Sequence, residues 1–157
     1  MTNSADFVSI DALIHAAYEV ISGPAGQSRD WERERSLFWP GARLIPTATV
    51  PGRNDVGLAP LILDVDAYIE RVEPIFAKDG FYETEIARRT EQFGQIAHVW
   101  STYESRHAPD DREPFMRGVN SFQLFHDGER WWIVNIYWQH ETAAYPIPGK
   151  YLENNAE

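Results

Sequence analysis

The spacing of apolar residues changes once along this chain, and the change divides it in two. Near the N-terminus Ile10, Leu13, Ile14, Ala17, Tyr18 and Ile21 recur at three- and four-residue intervals, which predicts an amphipathic helix over residues 10–21. Ser9 is placed to cap it, Asp11 suits the positive end of its dipole, and Ser22-Gly23-Pro24 stops it. A shorter helix is expected after the cap Asp30 and before Pro40, with Trp31, Leu37 and Phe38 inward and Glu32, Arg33, Glu34 and Arg35 on the wet side. Residues 42–45 read as a short strand, and the Gly- and Pro-bearing stretch 46–60 as a loop with room for an edge strand. A third helix starts at Asp64 with the stripe Val65, Tyr68, Ile69, Val72 and Phe76; Pro74 should kink or shorten it, and Asp79-Gly80 ends it. From Phe81 the period becomes two, giving strands over 81–93, 96–106, 115–125 and 131–140. Gly94-Gln95 and Asp127-Gly128 supply turns, and the polar segment 107–114 joins the middle pair. Helices followed by a meander predict an α+β domain, a curved antiparallel sheet with three helices on one face.

Register gives the strands their faces. With Gly94-Gln95 as the turn, Arg88 faces Ser101 and Ile86 faces Tyr103, so Tyr82, Ile86, Ala97, Val99 and Tyr103 point towards the helices. Glu83, Glu85, His98, Trp100 and Glu104 then point outward. In the last hairpin, pairing Phe125 with Arg130 sets Phe122 beside Ile133, Asn120 beside Asn135, and Gly118 beside Tyr137. A strand face that passes from apolar side chains to amides and a phenol reads as a cavity wall; the alternative is that the two asparagines satisfy each other. Tyr18 lies on an apolar stripe, and its hydroxyl must reach a polar place, either the cavity or a backbone carbonyl. Arg88, on an apolar face, needs an acceptor, either a ligand anion or an internal carboxylate. The candidate ligand-binding residues are Tyr18, Arg88, Tyr103, Asn120, Asn135 and Tyr137. On the opposite face Trp100, Trp132, Val134, Ile136 and Trp138 form an apolar patch that the helices cannot cover, which predicts a homodimer through that face.

Length and composition narrow the function classes. The 157 residues suit one domain, with its core at about 8–141 and a C-terminal tail over 142–157. The absence of cysteine excludes disulfides, thiol catalysis and cysteine-ligated metals. Lys+Arg 14 against Asp+Glu 24, a net charge of −10, argues against nucleic-acid and anionic-membrane partners. No histidine stands at metal-ligand spacing from a second ligand, and no nucleophile-elbow, phosphate-loop or dinucleotide motif occurs, so neither metal nor cofactor is expected. No apolar run approaches the roughly 20 residues of a membrane span, and no leader is evident at MTNSADF, so the expected location is cytoplasmic.

Three stretches carry a family likeness: Leu37-Phe38-Trp39-Pro40-Gly41-Ala42-Arg43-Leu44, Phe93-Gly94-Gln95-Ile96-Ala97-His98-Val99 and Asp127-Gly128-Glu129-Arg130-Trp131-Trp132-Ile133. They resemble the helix-to-strand passage, the central hairpin and the closing hairpin of the SnoaL-like (polyketide-cyclase-like) branch of the nuclear transport factor 2-like superfamily. The resemblance implies a cone-shaped, cystatin-like α+β fold with a pocket between sheet and helices, in a chain that is often dimeric. It does not imply one activity. Against the ketosteroid isomerase pattern, Tyr18 falls where a phenolic oxyanion donor is placed, and Asn120 (or Ser121) where a protonated aspartic acid is placed. The position expected to hold the base is Pro46, preceded by Ile45, so that base is missing. The favoured reading is a protein that binds a small hydrophobic or carbonyl-containing ligand. Its alternatives are a cyclase, isomerase or dehydratase acting on a hydrophobic carbonyl compound, and a non-catalytic dimeric accessory subunit. A carboxylate or histidine facing the pocket within reach of Tyr18 would favour the enzyme.

Overall fold

The computed structural model describes residues 2–49 and 58–155; most of the expected 46–60 loop lies outside them. The helices are α1 (Ile10–Ile21), α2 (Trp31–Ser36) and α3 (Val65–Lys78). Each begins at the residue its sequence marks. Ser9 Oγ accepts from the Ala12 amide at 3.0 Å, Asp30 from the Arg33 amide at 3.0 Å, and Asp64 from the Ala67 amide at 2.8 Å. Pro74 sits on the exposed side of α3, which runs past it to Lys78. Leu13 and Ile14 of α1 are fully buried against the sheet.

The strands are β1 (Phe38–Thr49), β2 (Leu58–Pro60), β3 (Tyr82–Phe93), β4 (Ile96–Arg106), β5 (Met116–His126) and β6 (Trp131–His140). They form one sheet in the order β2-β1-β6-β5-β4-β3. The last four are antiparallel neighbours, as the period-two pattern predicts. β1 is much longer than the expected 42–45 and joins β6 in parallel. Its start at Phe38 is separated from the regular pairing at Arg43 by an irregular passage through Gly41, whose φ of 87° favours glycine.

Two β-bulges decide which side chains face the helices. In the β3–β4 hairpin the pairs Gln92–Ala97 and Arg88–Ser101 hold. Beyond Ala87–Thr102 the next pair is Glu85–Tyr103, which leaves Ile86 as an extra residue. The alternation inverts there. Ile86 turns to solvent at 39 % exposed, and Glu85 and Glu83, expected outside, turn in. In the last hairpin the pairing is displaced by two residues, with Leu124 opposite Ile133 and His126 opposite Trp131. The Asp127 carboxylate accepts from the Glu129 and Arg130 amides at 2.8 and 2.9 Å and so lengthens the loop. A second bulge follows at Val134, after which Gln123 pairs with Asn135, Ser121 with Tyr137, and Asn120 with Trp138. Asn135 and Tyr137 therefore lie on the outer face, and Ile136 and Trp138 turn inward.

The chain ends against the sheet. Tyr151 packs on Trp100 with ring centroids 5.3 Å apart, and its carbonyl accepts from the Thr102 hydroxyl. Asn154 and Asn155 hydrogen-bond to the free edge of β3 at Arg88 and Thr90. At the other end of the molecule Arg29, only 7 % exposed, ties the α1–α2 connection together. It donates to the carbonyls of Ile21, Gly23, Pro24 and Gln27 at 2.6–3.1 Å and lies 4.7 Å from the Phe76 ring centre. A lysine cannot reproduce that fork. Arg29→Met and Arg29→Lys should each lower stability by about 2–4 kcal/mol, read from urea unfolding midpoints, because carbonyls are left without donors.

Candidate functional site

A cavity of about 730 Å³ lies between the inner sheet face and α3. Its wall is mostly apolar and aromatic, with Tyr18, Tyr68, Tyr103, Phe122 and Trp138 contributing rings. Arg71, Ile75 and Asp79, all exposed, line it at the C-terminal half of α3 and mark its mouth. Two carboxyl groups, Glu83 and Glu34, face the same space.

Glu83 is placed by the bulge at Ile86 and by the end of α1. Its backbone amide donates to Ser22 Oγ at 3.1 Å, and Gly23 bridges to Phe81 next to it. Burial in the cavity pushes its carboxyl up to about 8, with Asn120 pulling the other way by hydrogen bonding. Glu34, expected on the wet side of α2, is 3 % exposed. Helical spacing explains this: Glu34 stands three residues after Trp31 and three before Leu37, on their face, while Arg33 and Arg35 reach outward to Asp6, Glu19 and Asp66. Burial alone pushes Glu34 up to about 8, and its Oε2 has no hydrogen-bond partner. Neither carboxyl is shifted by the other, so the two are separate polar points on one apolar wall.

A directed chain of hydrogen bonds backs the cavity. Arg88 holds Glu85 through Nε (3.0 and 3.1 Å) and Nη2 (2.7 Å). The Ser101 hydroxyl donates to Glu85, which commits its one hydrogen. Tyr18, 2.6 Å from Ser101 Oγ, must then be the donor of that pair, and it accepts in turn from Asn120 Nδ2 at 3.0 Å. The Tyr18 hydrogen thus points away from the cavity. Burial, helped by the negative charge of Glu83, raises its phenol well above the ordinary range. Tyr103 differs. Its hydroxyl is buried without a partner, in space that exists because residue 118 is glycine; a Cβ there would collide with it and with the Gln139 carbonyl.

The structure thus brings Tyr18, Tyr103 and Asn120 together on the cavity wall. Arg88 lies outside it, bound to Glu85 and, at 3.1 Å, to Asp11, so its acceptors are internal carboxylates. Asn135 and Tyr137 are on the far face, carried there by the Val134 bulge. Periodicity does not reveal Glu83, because nothing in the strand pattern announces the Ile86 bulge. Glu34 was legible in the i, i+3 spacing from Trp31. Among the described residues no group of three or more histidine, aspartate or glutamate side chains could hold a metal ion, and no helix is long and apolar enough to cross a membrane.

No family model matches the chain, and no curated protein matches it significantly. Solved structures do. A nuclear transport factor 2-like protein of unknown function from Silicibacter pomeroyi superposes with a TM-score of 0.55 at 19 % identity, covering 84 % of this chain and 92 % of its own. The fold is nuclear transport factor 2-like. A cystatin-like-fold protein from Nostoc punctiforme gives a TM-score of 0.53 at 9 % identity, over 73 % of this chain and 78 % of its own. A candidate ketosteroid isomerase from Parabacteroides distasonis gives 0.54 at 11 % identity, over 92 % and 97 %.

The two acids of the cavity, buried Glu34 and half-buried Glu83, make stability depend on pH. Each has its ordinary value near 4.5 when unfolded and about 8 when folded. Between those values the unfolded chain holds fewer protons, so each acid lowers stability as pH rises, at roughly 1.4 kcal/mol per unit, with no further loss above about 8. Glu34→Gln should therefore gain stability relative to the native chain as pH rises from 5 to 8. Urea unfolding at the two pH values measures this, and a constant difference would contradict it.

Proposed function

We propose that the cavity is an acid–base site for an apolar carbonyl compound, and that Glu83 carries the proton. The observation behind this reading is a carboxyl with an elevated pKa inside a mostly apolar cavity, beside Tyr103, Tyr18 and Asn120. The carboxylate that Pro46 could not supply comes instead from β3. Ionised Glu83 takes a proton from a carbon next to the carbonyl; the C–H electrons form the C=C bond, and the carbonyl oxygen becomes an enolate oxygen. The Tyr103 O–H, free of any internal acceptor, donates to that oxygen, while Tyr18 and Asn120 hold the wall in place. Return of the proton to a different carbon makes an isomerase, and departure of a β-hydroxyl makes a dehydratase. The name of the Parabacteroides distasonis neighbour is in keeping with this chemistry. The SnoaL-like branch is the assignment within the fold that the three sequence stretches favour.

The probe is 2-tetralone in D2O, followed by proton NMR. The native chain should accelerate exchange of its α-protons, faster as pH rises towards about 8, where Glu83 ionises. Glu83→Gln should lose about 10²-fold or more, as expected for a general base. Binding of tetralone without accelerated exchange would leave a binding protein and end the catalytic reading.

We also propose a homodimer through the outer sheet face, without Ile136 and Trp138, which turn inward. The remaining patch centres on Trp39, packed 5.4 Å from Phe125 and 5.3 Å from Trp132, with Val134 beside it and Phe93 and Ile96 (83 % and 60 % exposed) at the hairpin tip. A standard interface would bury on the order of 800 Å² of each subunit. Trp39→Glu with Phe93→Glu should sediment as a monomer; a native chain that is already monomeric at micromolar concentration removes the proposal.

A further inference from the structure

Proton transfer at Glu83 makes no use of Glu34. Among the described residues Glu34 Oε2 bonds to nothing, and its carboxyl is buried on the cavity wall. Tyr68 of α3 is the ionisable group whose field it shares, with Glu83, Tyr18 and Tyr103 farther along the same wall. The basic groups on the lining are elsewhere engaged or at the rim: Arg71 is exposed, and His107 is stacked on Phe115 and bonded to the Gly80 carbonyl, with His140 half-buried. None of them bonds to Glu34. A buried carboxyl without a partner is costly, and proteins pair such groups. A donor carried by a bound ligand would complete it.

Three features choose its chemistry. A buried carboxyl on the cavity wall with an oxygen that bonds to nothing calls for a hydrogen donor. The wall around it is aromatic, with Tyr68 stacked edge-on to Trp138 at 6.1 Å, and aromatic faces attract ammonium groups. The net charge of −10 draws cations and repels anions. We propose that the cavity takes an apolar amine, its ammonium group seated on the Glu34 carboxylate among these rings. This deepens the function proposed above, since the carbonyl end of the same molecule would then face Glu83 and Tyr103. Glu34 gives up its proton to solvent as the ammonium arrives, so amine binding releases a proton and binding of a neutral analogue does not.

The test compares 2-(2-naphthyl)ethylamine with 2-(2-naphthyl)ethanol, two probes of the same shape. At pH 7 calorimetry in two buffers of different ionisation enthalpy should show the amine binding at least tenfold more tightly, with release of most of a proton. Glu34→Gln should erase both differences and leave alcohol affinity within twofold; Glu34→Leu, of similar volume, serves as the second variant. Equal affinities for the two probes, no binding of either, or an amine preference that survives in both Glu34 variants would overturn the proposal. Glu83→Gln separates the two claims: it should abolish tetralone exchange and keep the amine preference. If instead the native chain shows the preference without exchange, the carbonyl chemistry fails and the amine site stands.

Discussion

One extra residue in an edge strand decides which side chains line the cavity. With Ile86 bulged out of β3, every side chain before it changes face, so an isoleucine goes to water and two glutamates go to the interior. Exposing part of the isoleucine side chain forfeits about 1 kcal/mol of burial, and bringing in carboxyls adds desolvation to that loss. A strand chosen for stability alone would have stayed regular.

The two glutamates that turn in meet opposite environments. Glu85 finds the Arg88 fork and the Ser101 hydroxyl, and becomes the fixed end of a chain that runs through Tyr18 to Asn120. Glu83, two residues earlier, is paired with no cation among the described residues, and burial raises its carboxyl to about 8. Two carboxyls of one strand thus meet different surroundings, one held by a guanidinium and one raised by burial. The chain also fixes the direction of the Tyr18 hydrogen, which leaves Tyr103 as the phenol of the cavity wall whose hydroxyl has no partner among the described residues.

The helices, their caps, the turn at Gly94-Gln95 and the antiparallel meander are all visible in the sequence, because each rests on local chemistry: a hydroxyl or carboxylate cap, a glycine turn, a change of period. Tyr18 was legible from the helical stripe of α1, and Tyr103 and Asn120 because they sit where regular alternation still holds. Asn135 and Tyr137 were misplaced because Val134 breaks the alternation before them, and Glu83 because Ile86 does. Both bulges insert an apolar β-former, Ile86 within a largely polar strand and Val134 after Trp132 and Ile133, and pattern alone does not distinguish either from a regular strand. Long-range pairing supplies the choice.

The asparagines at the end of the chain do more than anchor a terminus. The Asn155 carboxamide accepts from the Thr90 amide and donates to the Thr90 carbonyl, at 3.0 and 2.8 Å, as the peptide group of a neighbouring strand would. With Asn154 on the Arg88 amide and the Asn155 amide on the Arg88 carbonyl, two residues close the part of β3 that follows the bulge. An open strand edge is a template on which further chains can add. Side-chain amides that imitate a backbone thus cover this stretch of the sheet's edge without adding a further strand to it.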